Sequence, residues 1–272
     1  MASETGVTLE TADLGFAYDG RRALDGIGLR AEPGEVVGLV GPNGSGKSTL
    51  IRILSGVLGG YSGSARIGNE EVRELKPVDL ARQLAVVPQE PTFSFPFTAL
   101  QIVLMGRHPH LAGIAFESAR DVELAREALA RCGAADLASR TIQELSSGER
   151  QRVVFAKALA QQPRALLLDE PASFLDIRHQ VALYDLVREQ AQETGNTVLT
   201  VLHDLNLAAE YCDRIYLLRD GRIEASGPTA DVLTYANLTR VFETEVYVDT
   251  NTLTGKLLVV PLSARARKEL ET

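Results

Sequence analysis

The stretch Gly41-Pro42-Asn43-Gly44-Ser45-Gly46-Lys47-Ser48 constrains this chain more than any other feature. It follows 36–40, a short and wholly apolar run, and precedes 48–58, where apolar residues fall at helical spacing. A brief apolar run bounded by turn residues is what a strand buried on both faces requires. Strand, glycine-rich turn and helix in that order are the context that supports the phosphate-binding pattern G-x-x-x-x-G-K-[ST]. The glycines let the backbone curl so that successive N–H groups converge on one point. The helix start adds partial positive charge. Lys47 supplies a point charge for β- and γ-phosphates, and the Ser48 hydroxyl suits Mg²⁺. With Thr49, these residues form the candidate nucleotide cradle.

A second constellation follows at Ala165-Leu166-Leu167-Leu168-Asp169-Glu170. An apolar strand carries two carboxylates to its C-terminal end, where open α/β sheets bind ligands. Alone, such a pair reads as a solvated strand end. Paired with the loop at 41–48, Asp169 reads as a holder of Mg²⁺ and Glu170 as a base for an attacking water. A third signal is Leu145-Ser146-Ser147-Gly148-Glu149-Arg150-Gln151-Arg152. Ser146 or Ser147 suits an N-cap, and Glu149 in the first turn suits the helix dipole. Its plain reading is a helix start; its functional reading is a second anion site.

The rest of the chain alternates short apolar strands with helices, which predicts a mixed, largely parallel sheet with helices on both faces. Strands are expected at 7–16, 23–31, 36–40, 84–87, 165–168 and 197–202, and helices at 78–83, 147–161, 179–193 and 205–211. Residues 59–68 read as a Gly/Ser-rich return loop. Helices at 98–106 and 119–131 flank a looser link at 107–116, so 91–160 reads as an inserted helical subdomain. Asp220-Gly221 predicts a hairpin. The tail, 227–272, reads as a short helix and a further hairpin. The expected division is a single domain over 1–272. Within it, 1–90 and 161–226 form the α/β core with an N-terminal antiparallel β subdomain.

With 272 residues, 45% hydrophobic and 24% charged, the chain has a globular composition. A net charge of −8 argues against a general nucleic-acid binder. No apolar run approaches the roughly 20 residues of a bilayer span, and the start reads as neither basic nor apolar, so no signal peptide is expected. Cys132 and Cys212 have no metal-type spacing and read as reduced thiols of a cytoplasmic protein.

Taken together, these motifs resemble the nucleotide-binding subunit of an ABC transporter over nearly the whole chain. Residues 145–149 resemble the signature LSGGQ, with Ser147 in place of Gly and Glu149 in place of Gln. Tyr18 resembles the aromatic that stacks on adenine. Gln89, after Val86-Val87-Pro88, resembles the glutamine that senses the γ-phosphate and Mg²⁺, on a loop that also meets the membrane partner. Ser173-Phe174-Leu175-Asp176 resembles the D-loop, usually SALD, so Asp176 is placed at the dimer interface. His203 resembles the switch histidine that bonds the γ-phosphate. The resemblance implies a homodimer with ATP and Mg²⁺ between Lys47 of one subunit and Ser146, Ser147, Gly148 and Glu149 of the other. Arg150 and Arg152 are expected to offset the charge of Glu149.

Residues 78–89, 104–110, 203–209 and 211–214 resemble metal-chelate importers of the iron–siderophore, haem or cobalamin type. That implies a separate integral membrane permease dimer met through the Gln89 loop and the helical subdomain. It also implies a periplasmic or tethered substrate-binding protein, no nucleic acid, and a place on the cytoplasmic face of the inner membrane. His108-Pro109-His110 reads as a helix end facing that permease rather than a metal site. The rival readings are a soluble ABC ATPase acting on ribosomes or DNA, a non-hydrolysing regulator, and the ATPase of an exporter. One P-loop, a compact interval between Lys47 and Ser146, and the presence of Glu170 and His203 favour the importer.

Overall fold

The computed structural model describes residues 6–111, 116–263 and 265. In chain order its elements begin with β1 (Leu9–Tyr18), β2 (Arg21–Ala31), β3 (Val36–Val40), α1 (Lys47–Leu54), β4 (Ser62–Ile67), β5 (Glu70–Glu71), α2 (Pro77–Gln83) and β6 (Leu84–Val87). Then come α3 (Ala99–Leu104), α4 (Ala119–Arg131) and α5 (Ser147–Ala160). The second half holds β7 (Ala165–Asp169), α6 (Ile177–Thr194), β8 (Thr197–Val201), α7 (Leu205–Tyr211), β9 (Arg214–Arg219) and β10 (Arg222–Pro228). The tail adds α8 (Thr229–Val232), α9 (Tyr235–Phe242), β11 (Val246–Thr250) and β12 (Leu257–Pro261).

The central sheet has the order β10-β9-β3-β8-β7-β6. Its inner pairs are parallel, and β10 closes one edge antiparallel to β9. Every residue of β3 and β8 is buried, which explains why those segments are continuous apolar runs rather than alternating ones. Side-chain alternation still sorts them. Val37, Leu39, Leu167 and Leu199 join α1 and the N-terminal sheet in one core. Val36, Val40, Leu166, Leu168 and Val198 join α3 to α7 and the tail in the other. The central sheet is thus the wall between two cores, and its C-terminal edge stays free for a site.

The N-terminal sheet is antiparallel, with the order β2-β1-β4-β5. Residues 59–68, expected as a return loop, instead supply β4, which pairs with β1 from Leu9 opposite Ile67 to Gly15 opposite Ser62. Ala65 and Ile67 face inward and are fully buried, so tertiary packing outweighed a glycine-rich composition. Two Asp-Gly turns close hairpins. Asp19 and Gly20 have φ of 45° and 80°, and Asp220 and Gly221 have φ of 49° and 76°. Paired positive values of this kind match the right-handed twist of the strands they join.

The expected link at 107–116 starts as a 3₁₀ turn, Met105–His110. Buried Arg107 anchors it, donating to Asp121 Oδ1 at 3.0 Å and to the Ala160 carbonyl at 2.7 Å. His110 Nε2 lies 2.7 Å from the Gln161 carbonyl. Residues 112–115 of that link lie outside the described residues. The tail holds two short helices before its hairpin, where one was expected. Both cysteines are buried and unpaired with each other. Burial pushes the Cys132 thiol up to about 12 and the Cys212 thiol above its ordinary range. No helix among the described residues is long and apolar enough to cross a membrane.

Candidate functional site

The loop between β3 and α1 is shaped by what surrounds it. At Gly41, φ is 154°, and a Cβ there would sit 2.1 Å from the Leu218 carbonyl oxygen of β9. Only glycine permits that approach. At the other end, Gly46 caps α1 in the left-handed region with φ of 103°. The Asp220-Gly221 turn is wedged beneath the loop. Gly221 N–H donates to the Ser45 carbonyl at 3.2 Å, and Asp25 N–H donates to the Gly221 carbonyl at 2.8 Å. The hairpin expected from Asp220-Gly221 forms, and its turn braces the phosphate loop.

Lys47 is only 5% exposed. Its ammonium donates to the carbonyls of Gly41 at 2.8 Å and Pro42 at 2.9 Å. Burial pushes its pKa down, and the charges of Glu170 and Asp169 oppose that shift. Ser48 Oγ donates to Asp169 Oδ1 at 3.2 Å. Burial pushes the Asp169 carboxyl up, with the Ser48 hydrogen bond pulling the other way. A hydroxyl and a half-buried carboxylate side by side are a hard-oxygen pair that fits Mg²⁺.

Glu170 leaves the strand end with φ of 50°, an uncommon conformation for a residue with a side chain and one that gathers at functional sites. Its two carboxylate oxygens are both engaged. Gln89 Nε2 donates to Oε2 at 2.5 Å, and His203 Nε2 lies 2.6 Å from Oε1. Gln89 follows β6 and His203 follows β8, the strands on either side of β7. Three neighbouring parallel strands therefore deliver their C-terminal residues to one carboxylate. Gln151 of α5 reaches the same loop, donating to the Pro88 carbonyl at 3.4 Å.

Lys47, Ser48, Thr49, Asn43, Gly44, Gly46, Glu170 and Tyr18 line a cleft of about 690 Å³. Tyr18 is half-exposed and packs edge-on against Phe16, ring centres 4.9 Å apart. Gly41, Pro42 and Ser45 belong to the same loop but do not line the cleft. The cleft is also lined by Arg21, Arg22, Asp220 and Gly221, none of which the sequence assigned to the site. Their signal was present in the two Asp-Gly turns, but nothing in the sequence says that both turns face the same loop.

The residues of 146–149 and Asp176 do not line this cleft. Ser146 caps α5 and closes a capping box with Glu149. Ser146 N–H donates to Glu149 Oε2 at 2.8 Å, and Glu149 N–H donates to Ser146 Oγ at 3.3 Å. Those bonds hold the Glu149 carboxyl below its ordinary range. Its second oxygen accepts from Arg140 at 3.2 Å, and Arg140 also donates to the Glu144 carbonyl at 2.8 Å. The expected offset by Arg150 and Arg152 is thus corrected in part: the ion pair comes from Arg140, Arg152 acts only at longer range, and its guanidinium donates to the Gly133 carbonyl. Ser147 is exposed. Gly148 packs under the 173–176 segment, where a Cβ would meet Leu175 at 3.3 Å. Asp176 caps α6, accepting from His179 N–H at 2.9 Å. Phe174 and Ile177 beside it are exposed.

Comparison with known proteins gives the same picture. The family model described as ABC transporter matches residues 24–173. The Hemin import ATP-binding protein HmuV of Agrobacterium fabrum is 45% identical over 231 residues, 82% of this chain and 86% of that protein. The Cobalamin import ATP-binding protein BtuD of Halobacterium salinarum is 40% identical over 266 residues, 98% of this chain. The chain spans 66% of that relative's length. Among solved structures, a metal-chelate type ABC transporter in an inward-facing conformation superposes with a TM-score of 0.84 at 28% identity, over 96% of this chain and 99% of that one. The dimeric cassette MJ0796 superposes with a TM-score of 0.74 at 29% identity, over 81% of this chain and 98% of that one. A phosphate loop, a paired carboxylate and flanking Gln and His at one sheet edge, over this matched length, place the chain in the ABC transporter family.

Proposed function

We propose that this chain is the ATP-hydrolysing subunit of an importer for a metal chelate of the iron–siderophore, haem or cobalamin class. The observation that carries this reading is Glu170, held between Gln89 and His203 at the strand end facing the Lys47 loop. Lys47 and the loop N–H groups bind the phosphates. Tyr18, at the cleft mouth, stacks on the base. Ser48, Asp169 and Gln89 hold Mg²⁺, which when bound supplies charge neutralisation for the phosphates. Glu170 orients a water against the γ-phosphate and takes its proton, and His203 steadies both the carboxylate and the phosphate oxygen.

A second subunit supplies Ser146, Ser147, Gly148 and Glu149 to the same nucleotide, and Asp176 packs across the seam. Closure of the head-to-tail homodimer then drives a permease dimer, met by the Gln89 loop and the helical subdomain at 91–160. The Pro88–Gln151 bond supports that coupling, because it ties the loop to the signature helix. We take 1–90 with 161–226 as the catalytic core and 227–272 as its tail. A substrate-binding protein outside the membrane would select the cargo, and this chain would lie at the cytoplasmic face, held there by the permease. The haem and cobalamin assignments of its relatives support the cargo class.

The test is ATP turnover by the subunit alone and reconstituted with its permease and chelate-loaded binding protein. Stimulation by the loaded complex is expected. Turnover that ignores the permease but responds to ribosomes or DNA would overturn the importer reading.

A further inference from the structure

We propose that the C-terminal hairpin β11–β12 is a latch that positions His203, and that Asn206 is the positioning residue through which it acts. Asn206 lies three positions after His203. Between them Asp204 caps α7, accepting from the N–H groups of Asn206 at 2.8 Å and Leu207 at 3.2 Å. The Asn206 side chain then makes two reciprocal bonds to one residue of the tail. Its Nδ2 donates to the Val259 carbonyl at 3.2 Å, and its Oδ1 accepts from Val259 N–H at 2.8 Å. An amide that mimics a strand edge fixes both the height and the rotation of the first turn of α7 against β12. A hydrophobic contact alone would leave that rotation free.

The hairpin is itself anchored. Val246 and Val259 are buried in the same core as α6 and α8, and Leu262 N–H donates to the Glu245 carbonyl at 3.0 Å to close its base. On its other side α7 leans on α6, where Tyr211 stacks on Tyr184 with ring centres 5.3 Å apart. The C-terminal end of α7 is therefore fixed by the core and its N-terminal end by the tail. His203 is half-exposed, and its ring nitrogen meets Glu170 among the described residues. The orientation of that ring depends on the backbone that leads into α7. The inference rests on the role given to His203 above.

The test compares Asn206→Ala, Asn206→Asp and His203→Ala in the full-length subunit. Misplacing a catalytic group by about 1 Å costs up to ~10²-fold in rate. Asn206→Ala is expected to lower kcat roughly ten-fold, with KM for ATP and equilibrium nucleotide affinity changed less than about two-fold. Asn206→Asp keeps the side chain's size and its acceptor but loses the donor, so its kcat should lie between. In the His203→Ala background, Asn206→Ala should add little, because the two act through one ring. Unchanged kcat in both Asn206 variants would overturn the latch, as would an equal loss in both histidine backgrounds. A kcat loss matched by a fall in nucleotide affinity would also overturn it, since that is general unfolding. If His203→Ala itself turned over normally, the fault would lie with the histidine assignment instead.

Discussion

The cleft at the ends of β3, β7 and β8 and the exposed start of α5 are built on opposite plans. In the cleft, polar groups from distant parts of the chain meet each other: Lys47, Ser48, Gln89, Asp169, Glu170 and His203 come from three strand ends and one helix start. At α5, the polar groups of Ser146 and Glu149 are satisfied within their own turn and by Arg140. The first is a nearly complete chemical site. The second presents a helix start outward and touches nothing that reacts. The contrast supports the dimer proposed above, in which the outward-facing start of α5 meets the cleft of a second subunit.

The largest effect should come from the finished half. Glu170→Gln keeps the size of the side chain but removes the base, so ATP turnover should fall about 10²–10⁴-fold. Nucleotide binding should persist, and a trapped dimer should appear in gel filtration with ATP. Lys47→Ala should instead weaken ATP affinity by about 10–100-fold, following the ~1.5–3 kcal/mol of hydrogen bonds to a charged group; isothermal titration reads it directly.

A comparison of α5 with α4 gives a smaller effect. Both helices start on a capping box with an arginine on its acid, but Ser118 and Asp121 face Arg107, which is 8% exposed, where Glu149 faces an arginine that is 44% exposed. The Ser118 and Arg107 bonds lower the Asp121 carboxyl to about 2. Because the folded value lies below the unfolded one, this stabilisation is present above about pH 4 and is lost as pH falls towards 2. Acid unfolding of Asp121→Asn should therefore begin from lower stability near neutrality and show a shallower loss across that window, as followed by circular dichroism.

The smallest effect belongs to the exposed pair. Arg140→Ala should cost under about 1 kcal/mol of stability. It should also leave the Glu149 carboxylate uncompensated, weakening ATP-driven dimerisation a few-fold. Glu149→Gln in the same chain should restore dimerisation, and added salt should narrow the difference. Equal dimerisation with and without Arg140 would mean that Glu149 does not face nucleotide charge.

Much of the site was legible because its signals are local. The glycines of 41–46, the Lys47-Ser48 pair and the acids after Leu168 sit within short segments whose chemistry needs those types at those spacings. The parallel strands were legible too, since burial on both faces leaves continuous apolar runs. The strand β4 was not, because its glycines and serines carry no period and only β1 gives it a partner. Arg140 escaped notice for a similar reason: it lies nine positions before Glu149, and no pattern links them.

Sequence by itself determined the chemistry on offer: which residues can cradle phosphate, hold a cation and accept a proton, and the order in which strands and helices present them. Those facts reside in contiguous residues, where covalent spacing fixes geometry within a turn or a strand end. Tertiary structure alone decided which of these groups meet. It set Gln89 and His203 on the two oxygens of Glu170, drove the Asp220-Gly221 turn under the phosphate loop, and bound Asn206 to Val259. Such contacts join residues tens to more than a hundred positions apart. They depend on the order of strands in a sheet and on how buried faces pack, properties that no short segment carries.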